Sequence, residues 1–133
     1  MLRAIFITAI FLTIVDPLTS FAVECCDTKS PYREGEGYAE TPAECENLKA
    51  WSNQAPDFER RRVSMHVRGT LSGVHTDGTV VYLEMCEAKS LRVVCVTYQT
   101  NGMKAGDSVN FGGGLSSIND EWIKLDPCLA SRD

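Results

Sequence analysis

Histidine is nearly absent from this chain of 133 residues, which carries only His66 and His75. No third ligand stands near them at metal spacing, and cysteines tied up in disulfides are lost to zinc, so no metal site is expected. No Gly-x-Ser-x-Gly elbow occurs, and no pattern of Ser, His and Asp picks out a nucleophile. Catalysis and cofactors are therefore not expected. Dense basic runs are missing too: the net charge is −5, whereas a polyanion binder needs clustered Lys and Arg. That argues against nucleic acid as a partner. Internal repeats and low-complexity segments are also lacking. The one long apolar run, Ala4–Val15, is about twelve residues, short of the roughly 20 that a membrane-spanning helix requires.

What is present begins with that run. Arg3 precedes it, Pro17 breaks it, and Ser20-Phe21-Ala22 offers a small-x-small cleavage site. This is the layout of an export signal, cut after Ala22. The expected mature chain is secreted or periplasmic and carries no membrane segment. Neither Cys25 nor Cys26 follows the Leu-small-small pattern of a bacterial lipoprotein, so lipidation is not expected. All six cysteines (Cys25, Cys26, Cys45, Cys86, Cys95, Cys128) survive the cut. An even count in a small exported chain implies disulfides. Charge is unevenly spread: residues 23–59 hold nine acids and three bases, whereas residues 60–133 hold eight acids and nine bases.

The pattern divides the chain into the signal (1–22), an arm with a short helix (23–61) and a β unit (62–133). Val23–Ala39 contains adjacent cysteines, Pro31, Gly35 and Gly37 without apolar period, and reads as an irregular arm held by a disulfide. Thr41-Pro42-Ala43-Glu44 matches a capping box with proline at the first helical position. The spacing predicts a helix from Pro42 to about Ser52, with Cys45 and Leu48 on one face. From Val63 the period changes to two. Strands are predicted at Val63–Val74, Thr79–Glu87, Leu91–Thr100, Ser108–Leu115 and Trp122–Leu125, separated by Gly, Asp and Asn turns. Gly69 and Gly73 mark a bulge or a barrel corner in the first of these, Asp77-Gly78 a hairpin, and Ala88-Lys89-Ser90 the next turn. Gly112-Gly113-Gly114 lacks the following helix and Lys-Ser/Thr of a phosphate loop. It reads as a closely packed, bulged strand.

Five strands of this spacing predict a small closed barrel. The segments Val67-Arg68-Gly69-Thr70-Leu71, Val80-Val81-Tyr82-Leu83-Glu84 and Leu91-Arg92-Val93-Val94-Cys95-Val96 carry a likeness, as does Met103-Lys104-Ala105-Gly106-Asp107-Ser108-Val109 leading into the three glycines. Over Arg62–Cys128 the chain resembles the oligonucleotide/oligosaccharide-binding (OB) fold. The resemblance implies a mainly β, five-stranded OB-like barrel whose ligand face lies on its second and third strands. On that face and the loops that flank it Arg68, His75, Tyr82, Arg92 and Tyr98 are the expected ligand-binding residues. Few exposed aromatics and no cationic track accompany them, unlike single-strand binders.

The cysteines give a local expectation. With the turn centred near Ser90-Leu91, Cys86 and Cys95 stand opposite one another across the second hairpin, close enough for a disulfide. Cys128 then pairs with Cys25, Cys26 or Cys45, or one of the adjacent cysteines is free or bridges to another chain. Arg60-Arg61-Arg62 reads as a solvated linker offsetting the acidic arm, or as a contact for an anion or an acidic partner. The expected function is binding of a protein, an anion or a sugar. A second expectation is an assembly subunit of the kind found in ring-forming toxin B-subunits, and a third is a secreted hydrolase or nuclease.

Overall fold

The computed structural model describes residues 25–86 and 91–133. The expected export signal and the turn at Ala88-Lys89-Ser90 lie outside the described residues. In chain order the elements are β1 (Tyr32–Glu34), β2 (Ala43–Glu44), a 3₁₀ turn (Cys45–Asn47), α1 (Leu48–Ser52), β3 (Val63–Thr76), β4 (Val81–Met85), β5 (Arg92–Thr97), β6 (Ser108–Ile118) and β7 (Trp122–Arg132).

β3 to β7 are the five expected strands. They close in the order β3-β4-β5-β7-β6 and back to β3. All pairs are antiparallel except β5 with β7. This is a mainly β protein with an OB-like barrel, preceded by an arm and one short helix. Alternation sets the inside: Val81, Leu83 and Met85 of β4 are buried while Tyr82 and Glu84 face out. Met65, Leu71, Val93, Phe111, Ile123 and Leu125 fill the same core, which Leu48 of α1 joins. Each fully buried side chain of this size contributes about 1.5–3 kcal/mol.

β3 serves two neighbours. Ser64–Thr70 pair with β6, and Leu71–Thr76 pair with β4 across a register shift between Leu71 and Gly73. The strand therefore turns the barrel corner where the glycines predicted it. Gly69 is needed for space, because a Cβ there would lie 3.0 Å from Cys45 Sγ and 3.1 Å from Met85 Sδ. At the next hairpin Asp77 accepts from the amides of Thr79 (2.8 Å) and Val80 (2.9 Å). Those two bonds are the main reason its carboxyl titrates below the usual value.

Several expectations need correction. The Thr41 hydroxyl donates to the Thr28 carbonyl instead of capping a helix, and Ala43–Glu44 pair parallel with β3. The helical turn starts three residues late, where the Glu44 amide donates to Asn47 Oδ1 at 2.9 Å. β5 ends at Thr97 rather than Thr100. β7 runs on to Arg132, past Pro127. Proline has no N–H for a ladder, and here it sits in the register shift between Gly113/Cys128 and Leu115/Leu125, where β7 holds an extra residue. β1 was not anticipated; it pairs with β3 and buries Tyr32.

The cystines also differ from expectation. Cys86 pairs with Cys45 and Cys95 with Cys128, while Cys25 joins Cys26. The expected Cys86–Cys95 bridge fails on register: Leu83, not Cys86, stands opposite Cys95. Cys86 has left the strand with φ of 69° and turns to the helix side. By loop-closure entropy, closing 41 residues through Cys45–Cys86 and 33 through Cys95–Cys128 contributes about 4 kcal/mol each. Cys45–Cys86 is the bond that tethers the arm-and-helix segment to the barrel. Three cystines point to an oxidising, non-cytoplasmic environment.

Candidate binding groove

The five expected ligand residues do not form one site. Arg68 reaches back to β2 and pairs with Glu44 at 2.6 Å. His75 and Tyr82 are cross-strand neighbours, but both are engaged: the Tyr82 hydroxyl donates to Asp77 Oδ2 at 3.2 Å, a bond that chiefly raises its pKa. Glu84 lies 3.6 Å from His75 Nε2 and 3.8 Å from Arg92, and the Arg92 guanidinium also covers the Trp122 ring at 5.9 Å. The outer face of β4 and β5 thus carries a charge network satisfied from within. Only Tyr98 stands clear, 78% exposed just past the end of β5.

Tyr98 borders a groove of about 700 Å³. Its walls come from the arm and the residues that follow it (Glu36–Tyr38 and Phe58–Arg62), the start of β3 (Val63 and Ser64), the end of β5, Gly112–Leu115 of β6 and Asp126–Leu129 of β7. The groove follows from strand pairing. β5 and β7 are in register from Arg92/Trp122 to Cys95/Leu125 and no further, so past that point the two strands separate. The Cys95–Cys128 bond spans the start of the gap, with Cα atoms 5.3 Å apart. Leu129, 68% exposed, follows at once. Among the described residues, Tyr98 and Leu129 are the exposed large hydrophobic side chains, and both line this groove. Single exposed apolar residues need no explanation, but two that line one concavity do.

The floor explains two of the three glycines. A Cβ on Gly112 would lie 2.4 Å from Cε1 of Tyr38, and one on Gly113 would lie 2.6 Å from the Pro127 carbonyl oxygen. Gly112 therefore seats an aromatic ring from the arm, and Gly113 lets β6 and β7 touch. Tyr38 is fixed further by donating its hydroxyl to the Leu129 carbonyl at 3.2 Å and by packing its ring edge-on to His66 at 5.0 Å. Burial is the main cause that raises its pKa. His66 in turn places Nδ1 at 2.8 Å from the Ala39 carbonyl and Nε2 at 2.9 Å from Asn110 Oδ1. It is a structural node of the arm contact. Among the described residues no group of three or more His, Cys, Asp and Glu converges as a metal site would require.

The arginine run is on the rim, and its charge is answered locally. Arg60 lies 3.6 Å from Asp57, Arg61 lies 3.8 Å from Glu34, and Arg62 pairs with Glu36. Three acids (Glu36, Glu59, Asp126) and three arginines line the groove, so its formal charge is zero. Sequence reasoning picked out Tyr98 and the packed glycines. It missed Leu129, Phe58 and Tyr38, because the first lies past Leu125, the expected end of the last strand, and the others sit in an arm without period.

No protein-family model matches the chain, and no curated protein matches it either. The functional reading accordingly rests on geometry.

Proposed function

We propose that this protein is an exported, disulfide-stabilised binding domain of the OB superfamily, secreted or periplasmic, which holds an extended peptide segment of a partner in the groove beside Tyr98 and Leu129. The observation that carries the reading is that those two exposed side chains line one groove, where the β5–β7 ladder stops. An extended peptide uses both features: its main chain adds to unpaired strand edges, and its alternate side chains fill apolar subsites. The balanced rim favours a ligand of low net charge over a phosphate or sulfate, which would meet Glu36, Glu59 and Asp126 as well as the arginines.

The test is selection from a library of displayed extended peptides, followed by calorimetry on the selected sequences. Tyr98→Ala and Leu129→Ser each weaken binding by about tenfold or more, the scale of a buried anchor residue, while Arg92→Ala, which does not line the groove, leaves it unchanged. Selected peptides that bind all three variants alike would place the site elsewhere. Selection of glycans over peptides on an array would replace the ligand class while keeping the groove.

A further inference from the structure

Cys25–Cys26 differs from the other two cystines in what it does for the fold. Cys45–Cys86 and Cys95–Cys128 close 41 and 33 residues, and Cys86, Cys95 and Cys128 are buried. Cys25 and Cys26 are neighbours in sequence. Their bond closes only the small ring of two adjacent residues, so cutting it releases no long loop of the unfolded chain and no tie between distant parts of the native one. The segment does not need it for attachment either: β1 pairs with β3, and the Ser64 hydroxyl donates to the Gly35 carbonyl at 2.6 Å. Both sulfurs belong to half-exposed residues, and both residues line an open cleft of about 340 Å³ with Tyr32, Tyr38 and Arg33. Cys26 packs against the core, whereas Cys25 is not among the residues that do.

We propose that Cys25–Cys26 is a thiol-exchange site, through which the protein forms a mixed disulfide with an incoming thiolate. The thiolate bonds to Cys25 Sγ, the Cys25–Cys26 bond breaks, and Cys26 leaves as a thiolate that takes a proton from water. One disulfide is exchanged for another, with no outside oxidant. A second thiolate on the mixed disulfide completes the reduction: two thiols become one disulfide, and Cys25 and Cys26 become thiols. Access and the absence of any folding penalty make this bond the one that exchanges. Tyr38 borders both this cleft and the groove of the proposed function, so the two openings share one wall residue.

The experiment titrates the oxidised protein with reduced glutathione, quenches with acid, alkylates and maps peptides. Cys25 and Cys26 become alkylated at a glutathione concentration at least tenfold below that needed for the other four cysteines, and the melting temperature stays within about 2 °C of the untreated protein. In Cys26→Ser, oxidised glutathione adds to Cys25 at least tenfold faster than it adds to Cys26 in Cys25→Ser. Alkylation of Cys45, Cys86, Cys95 or Cys128 at or below the same concentration overturns the proposal. So does a loss of thermal stability that accompanies the first two alkylations. A thiol-bearing protein and free glutathione are distinguished by repeating the Cys26→Ser reaction with a cysteine-containing groove peptide, which reacts faster than its scrambled counterpart if the source is a bound partner.

Discussion

The contact between Tyr38 and Gly112 makes a quantitative prediction. Introducing a methyl group by Gly112→Ala puts a carbon 2.4 Å from the tyrosine ring, whereas carbon pairs rest at about 3.5–4.0 Å. The ring must retreat by about 1 Å or more. Its hydroxyl then gives up the 3.2 Å bond to the Leu129 carbonyl, about 0.5–1.5 kcal/mol, and its edge contact with His66, about another 0.5–1.5 kcal/mol. Alanine restores roughly 0.5–1 kcal/mol relative to glycine in a strand. The net expectation is a loss of about 1 kcal/mol, or a fall in melting temperature of about 4 °C or more for a domain of this size. In a Tyr38→Ala background the obstacle is gone, and Gly112→Ala becomes neutral or slightly stabilising. The coupling across the double-mutant cycle is then about 1 kcal/mol or more. Gly113→Ala is the control, because its added carbon meets main-chain atoms of Pro127 and Cys128 at 2.6 and 2.9 Å. It destabilises by about 1–3 kcal/mol or more whether or not Tyr38 is present. Urea unfolding followed by circular dichroism measures all the terms, and limited proteolysis reports release of the arm before the barrel. Equal losses for Gly112→Ala in both backgrounds would refute the packing argument.

Other outcomes follow from the same structure. Replacing Cys45 and Cys86 together by alanine, or Cys95 and Cys128 together, lowers unfolding free energy by about 4 kcal/mol, while Cys25→Ala/Cys26→Ala leaves it nearly unchanged; denaturant titration ranks the three. Tyr32 donates its hydroxyl to the Trp51 carbonyl at 2.6 Å, and burial raises its pKa well above the ordinary 10.0. Its phenol therefore stays protonated in the native state while the unfolded chain ionises above pH 10, so the unfolded state binds fewer protons and stability falls as pH rises beyond that point. Tyr32→Phe weakens the protein near neutrality by about 1 kcal/mol and flattens the alkaline decline, which melting curves at pH 8 to 11.5 measure. Arg68→Ala loosens β2 by losing Glu44, and amide exchange in Ala43–Glu44 rises before that in β4.

Much of the barrel was legible because its strands obey simple alternation: Val63, Met65 and Val67, then Val81, Leu83 and Met85, face one core at period two. The arm was less legible for a physical reason. β1 and β2 hold three and two residues, too few to show a period, and they exist because β3 offers them an edge. The last strand was expected to end at Leu125, but β7 runs on to Arg132 because an extra residue beside Gly114 accommodates Pro127, which has no N–H. Cys86–Cys95 was a register inference, and register depends on how the hairpin turn is spent. Of the site, Tyr98 was visible as an aromatic on an expected face. Leu129 was not, since its exposure arises from the parting of two strands that only the closed barrel reveals.

That parting is restrained in a particular way. The Cys95–Cys128 bond sits at the head of the split between β5 and β7, like a rivet at the tip of a crack. Ladder hydrogen bonds yield one at a time, but a covalent pin does not, so the opening can flex at its far end without propagating into the sheet. The near end of the opening is thereby held at one width by a covalent bond, while its far end keeps its freedom.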